Sequence, residues 1–330
     1  MRPLLLILLI LSSSSYFMTW ILRYIYTKKK IFDIPNDRSS HSEPITRGGG
    51  LAIVISWYAG ITFLFFRGSI DNDLYFAFLP GVLLAVISLI DDVVDLKPSI
   101  RLITQIITIV VTIIILGGFR NFQFFAENSI SQVILYFLLV IGMVWFINLY
   151  NFLDGIDGYA SLEAICLSIA FLLLTGDILN VLLIAAVTGF LIWNWPQAKI
   201  FMGDVGSTQL GFIIAVLGLH YHNEGSLSIV WWLVLTSPFW FDATVTLFRR
   251  WRNKENLSTA HRKHMYQRLV QSGFSHLNVD FFLLSLNAFL ILIVIFCSNY
   301  EWTQIPVALF TVVLLSIIMV IIDRRNPFIH

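Results

Sequence analysis

Long apolar stretches, separated by short polar connections, follow one another along the whole chain. Stretches of about 17 to 22 residues recur, which is the length that a helix needs to cross the hydrocarbon core of a bilayer. We count eleven, with ten as the alternative, and predict an all-α, polytopic integral membrane protein that forms a single transmembrane domain over residues 1–330. The predicted spans are approximately 4–25, 49–66, 74–90, 102–118, 131–147, 159–175, 179–195, 208–221, 229–248, 281–297 and 305–322.

The composition excludes a water-soluble enzyme. Hydrophobic residues make up 58% of the chain and charged residues only 12%, and the mean hydropathy is +0.81, whereas soluble domains carry about 25% charged residues. Cys166 and Cys297 lie inside apolar runs and lack the spacing of a disulfide or a zinc site. The net charge of +1 gives no basic field that would attract nucleic acid.

The positions of the basic residues predict the orientation of the chain in the membrane. Lys28 to Lys30 follow the first apolar stretch, which has no small-residue cleavage site, so we expect an uncleaved helix with its N-terminus outside. Alternating sides from there places every Lys and Arg on the cytoplasmic side except Arg2, Arg67 and Arg120, with the C-terminus inside. The polar, residue-diverse connections then face the cytoplasm, where we expect the function to lie: 26–48, 91–101, 148–158, 196–207 and 249–280.

Three carboxylates stand at the predicted cytoplasmic end of the third span. Asp91, Asp92 and Asp95 surround one helix end, followed by Lys97 and Arg101. Such a cluster can bind a hard cation or handle a proton. The alternative is a set of interfacial acids that the two cations merely neutralise, because acids at a membrane boundary cost far less than buried ones.

Oxygen-bearing side chains recur every three residues after the fifth span. Asn148, Asn151 and Asp154 therefore share a face, and Asp157 follows between two glycines that allow the backbone to turn or to approach a ligand. An ordinary polar helix end is the alternative, but four such side chains at this spacing favour a binding site.

An acid flanked by glycines opens the eighth span. Asp204 offers an accessible carboxylate for magnesium, which takes few protein oxygens and completes its shell with water and phosphates. Asn194 and Lys199 precede it, and the helix N-terminus that follows favours an anion. The alternatives are that Asp204 only caps the helix and that Phe201 faces lipid and does not stack on a base.

The longest cytoplasmic connection is basic. The cluster at 249–254 can set topology or attract anionic lipid headgroups. His261, Arg262 and His264 stand among cations, and no third His or Cys lies near, which favours diphosphate binding over a zinc site. Three acid or amide clusters and one cationic cluster on one membrane face thus predict magnesium-assisted transfer of a phosphate-linked group, with a lipid as one substrate.

These motifs, in this order, resemble the polyprenyl-phosphate N-acetylhexosamine-1-phosphate transferase family, glycosyltransferase family 4, over about residues 31–280. The similarity rests on DDxxD, NxxNxxDGxDG and FMGDxGS, and it extends to the stretch 33–38, to His41 and to the glycine-rich stretch 46–50. It implies that a UDP-N-acetyl sugar gives its sugar-1-phosphate to undecaprenyl phosphate at the inner leaflet of a bacterial inner membrane, releasing UMP. It further implies Mg²⁺, or Mn²⁺ in its place, and allows a homodimer.

The resemblance also implies a role for each matching residue. Asp91 is the candidate base, and Arg101 stands where many members have a phosphate-contacting lysine. The implied catalytic residues are Asp91, Asp92, Asp154 and His261. The implied metal ligands are Asn151 and Asp204. The implied substrate-binding residues are Arg101, Asn148, Asp157, Asn194, Phe201, Arg262 and His264.

Several interpretations of the function stay open. The run at 260–269 looks more like initiators of O-antigen or lipopolysaccharide synthesis, with UDP-GlcNAc, UDP-FucNAc or UDP-QuiNAc as donors, and it lacks the fuller histidine run of the transferases that act on muramyl-pentapeptide. That peptidoglycan activity is the alternative within the family. An ion-coupled transporter is the alternative from another class, although transporter acids typically lie near the bilayer midplane and these lie at helix ends. A membrane scaffold would not need so many converging acids.

Overall fold

The fold, taken from a computed structural model, is mostly α-helical. The structure describes residues 2–34, 43–94, 96–120, 129–257, 259 and 261–328. Two short antiparallel strands, β1 (Phe32–Asp33) and β2 (Ile45–Thr46), pair with each other. The helices are α1 (Arg2–Lys28), α2 (Gly50–Phe66), α3 (Asn72–Phe78), α4 (Pro80–Val94), α5 (Pro98–Ile115), α6 (Ser129–Phe152), α7 (Tyr159–Thr175), α8 (Leu179–Asn194), α9 (Asp204–Asn223), α10 (Ile229–Leu235), α11 (Ser237–Arg252), α12 (Met265–Gln271), α13 (His276–Cys297) and α14 (Gln304–Arg325).

Each predicted apolar stretch coincides with a helix or with a pair of consecutive helices. The third stretch is α3 followed by α4, and the ninth is α10 followed by α11. Both breaks precede a proline, Pro80 and Pro238, whose ring and missing N–H interrupt a continuous helix. The structure therefore confirms the all-α class.

Within the described residues, six helical segments are long and apolar enough to cross a membrane. The shorter helices α2, α7 and α8 are also apolar. The six segments are Leu5–Lys28, Asn72–Asp92, Pro98–Ile115, Ile130–Phe152, His276–Cys297 and Glu301–Arg325.

Helix α9 forms the centre of the molecule, because every residue from 205 to 219 is buried. It packs against α2, α4 and α6. Close approach to α2 depends on two glycines that face each other, since a Cβ added to Gly206 would lie only 2.7 Å from the Cα of Gly50. Small residues at such contacts let membrane helices approach closely.

Backbone hydrogen bonds tie the start of α2 to the loop before α9. The N–H of Phe201 donates to the carbonyl of Thr46 at 2.8 Å, and the N–H groups of Gly49 and Gly50 donate to the carbonyls of Phe201 and Met202 at 2.9 and 2.8 Å. The loop then turns at Gly203, whose φ of +76° favours glycine. Helix α9 consequently begins at Asp204, four residues earlier than the predicted 208.

We expect Gly206→Ala to destabilise the protein. The added methyl group must push α2 away from α9, and overpacking of this kind costs about 1–3 kcal/mol. Gly142→Ala is the matched control, because nothing lies within 4 Å of a Cβ there and alanine favours the helix by about 1 kcal/mol. Thermal unfolding of both variants in detergent is the measurement, and an unchanged melting temperature for Gly206→Ala would show that the α2–α9 contact is not tight.

Candidate active site at the helix ends

Arg101 joins two carboxylates that are far apart in the sequence. Its Nη1 lies 2.8 Å from Oδ2 of Asp91, at the end of α4, and 3.3 Å from Oδ2 of Asp204, at the start of α9. Oδ1 of Asp91 accepts a hydrogen bond from the N–H of Leu96 at 2.8 Å. Both oxygens of Asp91 are therefore engaged, while the side chain of Arg101 remains 39% exposed.

Arg47 also contacts this group of carboxylates, the acid cluster of Asp91, Asp92 and Asp204. The sequence did not predict this contact. It donates to the main-chain carbonyl of Asp92 at 2.9 Å, and its Nη2 lies 3.6 Å from Oδ1 of that residue. Among the described residues, nothing hydrogen-bonds to the buried Oδ2 of Asp92, and a side chain at position 203 would come within 3.3 Å of it. Asp95 lies outside the described residues, as do Asp37, Arg38 and His41 of the family-like N-terminal stretch.

The amides of α6 are placed by helical spacing, because α6 continues to Phe152. Asn151 hydrogen-bonds with Asp204 and accepts a hydrogen bond from the hydroxyl of Ser207. Asn148 exchanges two hydrogen bonds with Gln105 of α5, at 2.7 and 3.2 Å. Asn151 thus faces the acid cluster, whereas Asn148 joins α5 to α6.

Asp154 lies in the loop between α6 and α7. Burial raises its pKa well above the ordinary value, and the neighbouring carboxylates of Asp204 and Asp157 raise it further. Tyr266 of α12 donates a hydrogen bond to the carbonyl of Phe152 at 3.2 Å and so connects α12 to this loop.

The side chains of Asp157 and Asn194 shape the loop that precedes Asp204. Oδ2 of Asp157 accepts from the N–H groups of Gln197 and Ala198 at 3.0 and 3.2 Å and lies 3.2 Å from Nδ1 of His276. The amide of Asn194 accepts from the N–H of Gly158 at 3.0 Å and donates to the carbonyl of Ile200 at 3.1 Å. Phe201 follows this loop and is half-buried.

The cationic segment, residues 261–268, packs against α11. The two oxygens of Asp242 accept from the N–H of Met265, each at 2.9 Å, and the buried His264 caps α12 with its Nδ1 3.5 Å from Asp242. The ring of His261 lies 4.8 Å from that of His264. Burial, together with the adjacent His264 and Arg250, lowers the pKa of His261 to about 3. His261 is therefore neutral at pH 7 in the free protein, so Arg250 and Arg262 carry the positive charge beside it.

A groove of about 1210 Å³ opens beside the acid cluster and runs along α5 and α6. Its polar end is formed by Arg101, Asn151 and Asp204, and its far end by Gly118 and Tyr136. Helix α5, with 18 residues, spans about 27 Å. The apolar walls include Leu84, Ile87, Leu102, Ile106, Val110, Ile113, Phe137, Val140, Ile141 and Val144.

The arrangement suits a phosphorylated lipid and a hard cation. Apolar walls accept a hydrocarbon chain, and a guanidinium at the polar end can bind a phosphate. In the part of the chain that the structure describes, no group of three or more His, Cys, Asp or Glu side chains is placed to hold a metal ion. Mg²⁺ bound together with substrate phosphates commonly takes few protein ligands.

Comparison with known proteins identifies relatives with related activities. The family model described as glycosyl transferase family 4 matches residues 74–222, which include Asp91 and Asp204. A probable undecaprenyl-phosphate N-acetylglucosaminyl 1-phosphate transferase of Bacillus subtilis is 32% identical over 271 residues, covering 78% of this chain and 75% of that protein. The decaprenyl-phosphate N-acetylglucosaminephosphotransferase of Mycobacterium tuberculosis is 28% identical, covering 84% and 78%. The phospho-N-acetylmuramoyl-pentapeptide-transferase of Streptococcus pneumoniae is 30% identical but covers only 60% and 65%.

We expect His261→Gln to reduce the loss of stability in acid. The folded protein holds His261 with a pKa of about 3, whereas an unfolded chain binds the proton at about 6.5. The folded state therefore binds fewer protons between these values, and stability falls as the pH drops below about 6.5. The melting temperature of the wild type should fall more between pH 7 and pH 5 than that of the variant. An equal fall would contradict a buried, neutral His261.

Proposed function

This chain belongs to the polyprenyl-phosphate N-acetylhexosamine-1-phosphate transferases of glycosyl transferase family 4, and we propose that it transfers N-acetylglucosamine-1-phosphate from UDP-N-acetylglucosamine to undecaprenyl phosphate. The observation that carries the proposal is the groove between α5 and α6, because its apolar length ends at Arg101 and Asp204. A lipid chain lying in the groove brings its phosphate to these two residues.

The lipid phosphate binds to Arg101 in this proposal. The guanidinium is neutralised by Asp91 and Asp204 in the free protein but is still 39% exposed, so it can turn its remaining N–H groups toward an incoming phosphate. Arg47 lies across the cluster beside Asp92 and is the second cation within reach. Asp91 and Asp92 then position the lipid phosphate or accept its proton.

Mg²⁺, or Mn²⁺ in its place, fits the donor set at the start of α9. Asp204 and Asn151 would hold it, with the unpartnered Oδ2 of Asp92 nearby as a further oxygen. When bound, it neutralises the diphosphate of the donor substrate. Asp154, whose pKa is raised by burial and by the carboxylates of Asp204 and Asp157, lies next to this group of oxygens.

The transfer forms one P–O bond and breaks another. An oxygen of the lipid phosphate attacks the sugar-bearing phosphorus of the UDP-sugar, the phosphoanhydride bond breaks, and UMP leaves with the bridging oxygen. Arg262, together with His261 and His264, holds the diphosphate as charge develops on the leaving phosphate. Asp157 and Asn194 fix the loop that presents Phe201 to the uracil ring.

We further propose a topology, a pathway and an assembly for this chain. The chain crosses a bacterial inner membrane eleven times as one domain, with its N-terminus outside, its C-terminus inside and its site on the cytoplasmic face. The lysines at the end of α1 support this orientation. The proposed pathway is initiation of O-antigen or a related envelope polysaccharide. UDP-FucNAc and UDP-QuiNAc are the alternative donors to UDP-GlcNAc. The proposed assembly is a homodimer.

The central test is a substrate panel. Purified protein is incubated with undecaprenyl phosphate, Mg²⁺ and UDP-GlcNAc, UDP-FucNAc, UDP-QuiNAc or UDP-MurNAc-pentapeptide, and UMP release is measured. We expect turnover that is highest with UDP-GlcNAc, lost with EDTA and restored by Mg²⁺. Release of UMP with none of the donors would refute the transferase, and turnover of the muramyl donor alone would assign the chain to peptidoglycan synthesis.

Asp204→Ala should reduce turnover by about 10² or more, since removing one electrostatic group at a reacting centre has effects of that size. The variant should remain folded, because the carboxylate is partly exposed and Arg101 keeps its shorter ion pair with Asp91. Asp73→Ala is the control, an exposed acid in the first turn of α3 and outside the site. Turnover of Asp204→Ala equal to that of the control would remove Asp204 from the metal site.

A further inference from the structure

The segment that follows Ile322 binds the basic residues of α11 and α12. Asp323 accepts two parallel hydrogen bonds from Arg249, at 3.0 and 2.7 Å, and a third from Arg268 at 2.6 Å. One carboxylate thus holds two guanidinium groups from different helices. Arg249, which the sequence assigned to topology or to lipid headgroups, is committed to this ion pair.

Further contacts close around Arg268. Its guanidinium donates to the main-chain carbonyl of Asn326, and the amide of Asn326 donates back to the carbonyl of Arg268 at 3.3 Å. The ring of Phe328 lies 5.1 Å from the guanidinium of Arg249, 5.4 Å from the ammonium of Lys263 and 5.6 Å from the guanidinium of Arg268, as in cation–π contacts. We name residues 323–328 the anchor segment.

Arg268 is only 3% exposed on its side chain, and removing its partner would leave a buried, uncompensated charge. It belongs to α12, a helix of seven residues that is too short to hold its position without tertiary contacts. Asp323 therefore helps to fix the position of α12, together with Asp242 at the start of that helix and the contact of Tyr266 with Phe152.

The same helix carries the proposed diphosphate-binding residues at its start. His264 caps α12, and His261 lies against His264. On its other side, Tyr266 donates to the carbonyl at the end of α6. A shift of α12 consequently moves the histidines relative to the loop that carries Asp154.

We propose that Asp323 is a positioning residue that sets the place of the segment 261–264, and through it the affinity for the nucleotide-sugar, without touching either substrate. The inference rests on the proposed transferase function. It predicts an asymmetric effect, because the lining of the lipid groove includes Leu247 of α11 but no residue of α12, of the segment 261–264 or of the anchor segment.

The test compares Asp323→Asn, Asp323→Glu and Arg324→Gln in the full chain. Arg324 is the control, an exposed neighbour on the same helix. For Asp323→Asn we expect KM for the UDP-sugar to rise about tenfold, which corresponds to about 1.4 kcal/mol, with KM for undecaprenyl phosphate unchanged. Asp323→Glu should restore most of the affinity. Hydrogen exchange should accelerate in 261–271 of Asp323→Asn and stay unchanged in α9.

The outcomes separate the two claims. If the wild type releases no UMP, the transferase proposal fails, while the exchange data still test the anchor. If the wild type is active but Asp323→Asn matches Arg324→Gln in both KM and exchange, or if both KM values rise together, the positioning role is refuted. If Asp323→Asn does not fold, Phe328→Leu is the second variant, because it removes only the ring contacts. KM for the UDP-sugar should then rise by about two- to fivefold. An unchanged KM refutes the proposal.

Discussion

The ion pairs of Arg101 with Asp91 and Asp204 hold the active face together. Three helix ends, those of α4, α5 and α9, meet there, and the carboxylate of Asp91 is only 9% exposed, so it would be costly to leave unpaired. One guanidinium compensates two carboxylates and keeps them close. The same group stands at the polar end of the groove, so the contact that stabilises the helix ends also supplies the phosphate-binding group of the proposed function.

This arrangement explains how a chain with so few charges performs polar chemistry. The acids, the amides of α6 and the two arginines gather at one end of the helices, and the apolar remainder is exposed on the helix surfaces or packed between them. In the proposed function, the groove carries the lipid substrate to that end, and the loops at 153–158 and 195–203 and the segment 261–264 hold the nucleotide-sugar. The two proposed substrates then reach the same carboxylates by different routes.

The helices could be predicted from the sequence because apolar length and helical spacing are local properties. The same applies to Asn148 and Asn151 in the last turns of α6 and to Asp204 at a helix start. Asp154, predicted to share the face of the two asparagines, lies instead in the loop beyond the end of α6. The pairing of Arg47 with Asp92 could not be predicted, because it joins residues 45 positions apart through the fold. The neutral state of His261 depends on burial and on Arg250, which no spacing rule shows. The partner of Arg268 likewise lies on another helix, 55 residues away.

The most direct measurement of the central claim is a cryo-electron microscopy map of the protein with undecaprenyl phosphate in a lipid nanodisc. We expect continuous chain density between α5 and α6 and phosphate density within hydrogen-bond distance of Arg101. Density for the lipid on another helix face, or a phosphate bound away from Arg101 and Asp204, would contradict it.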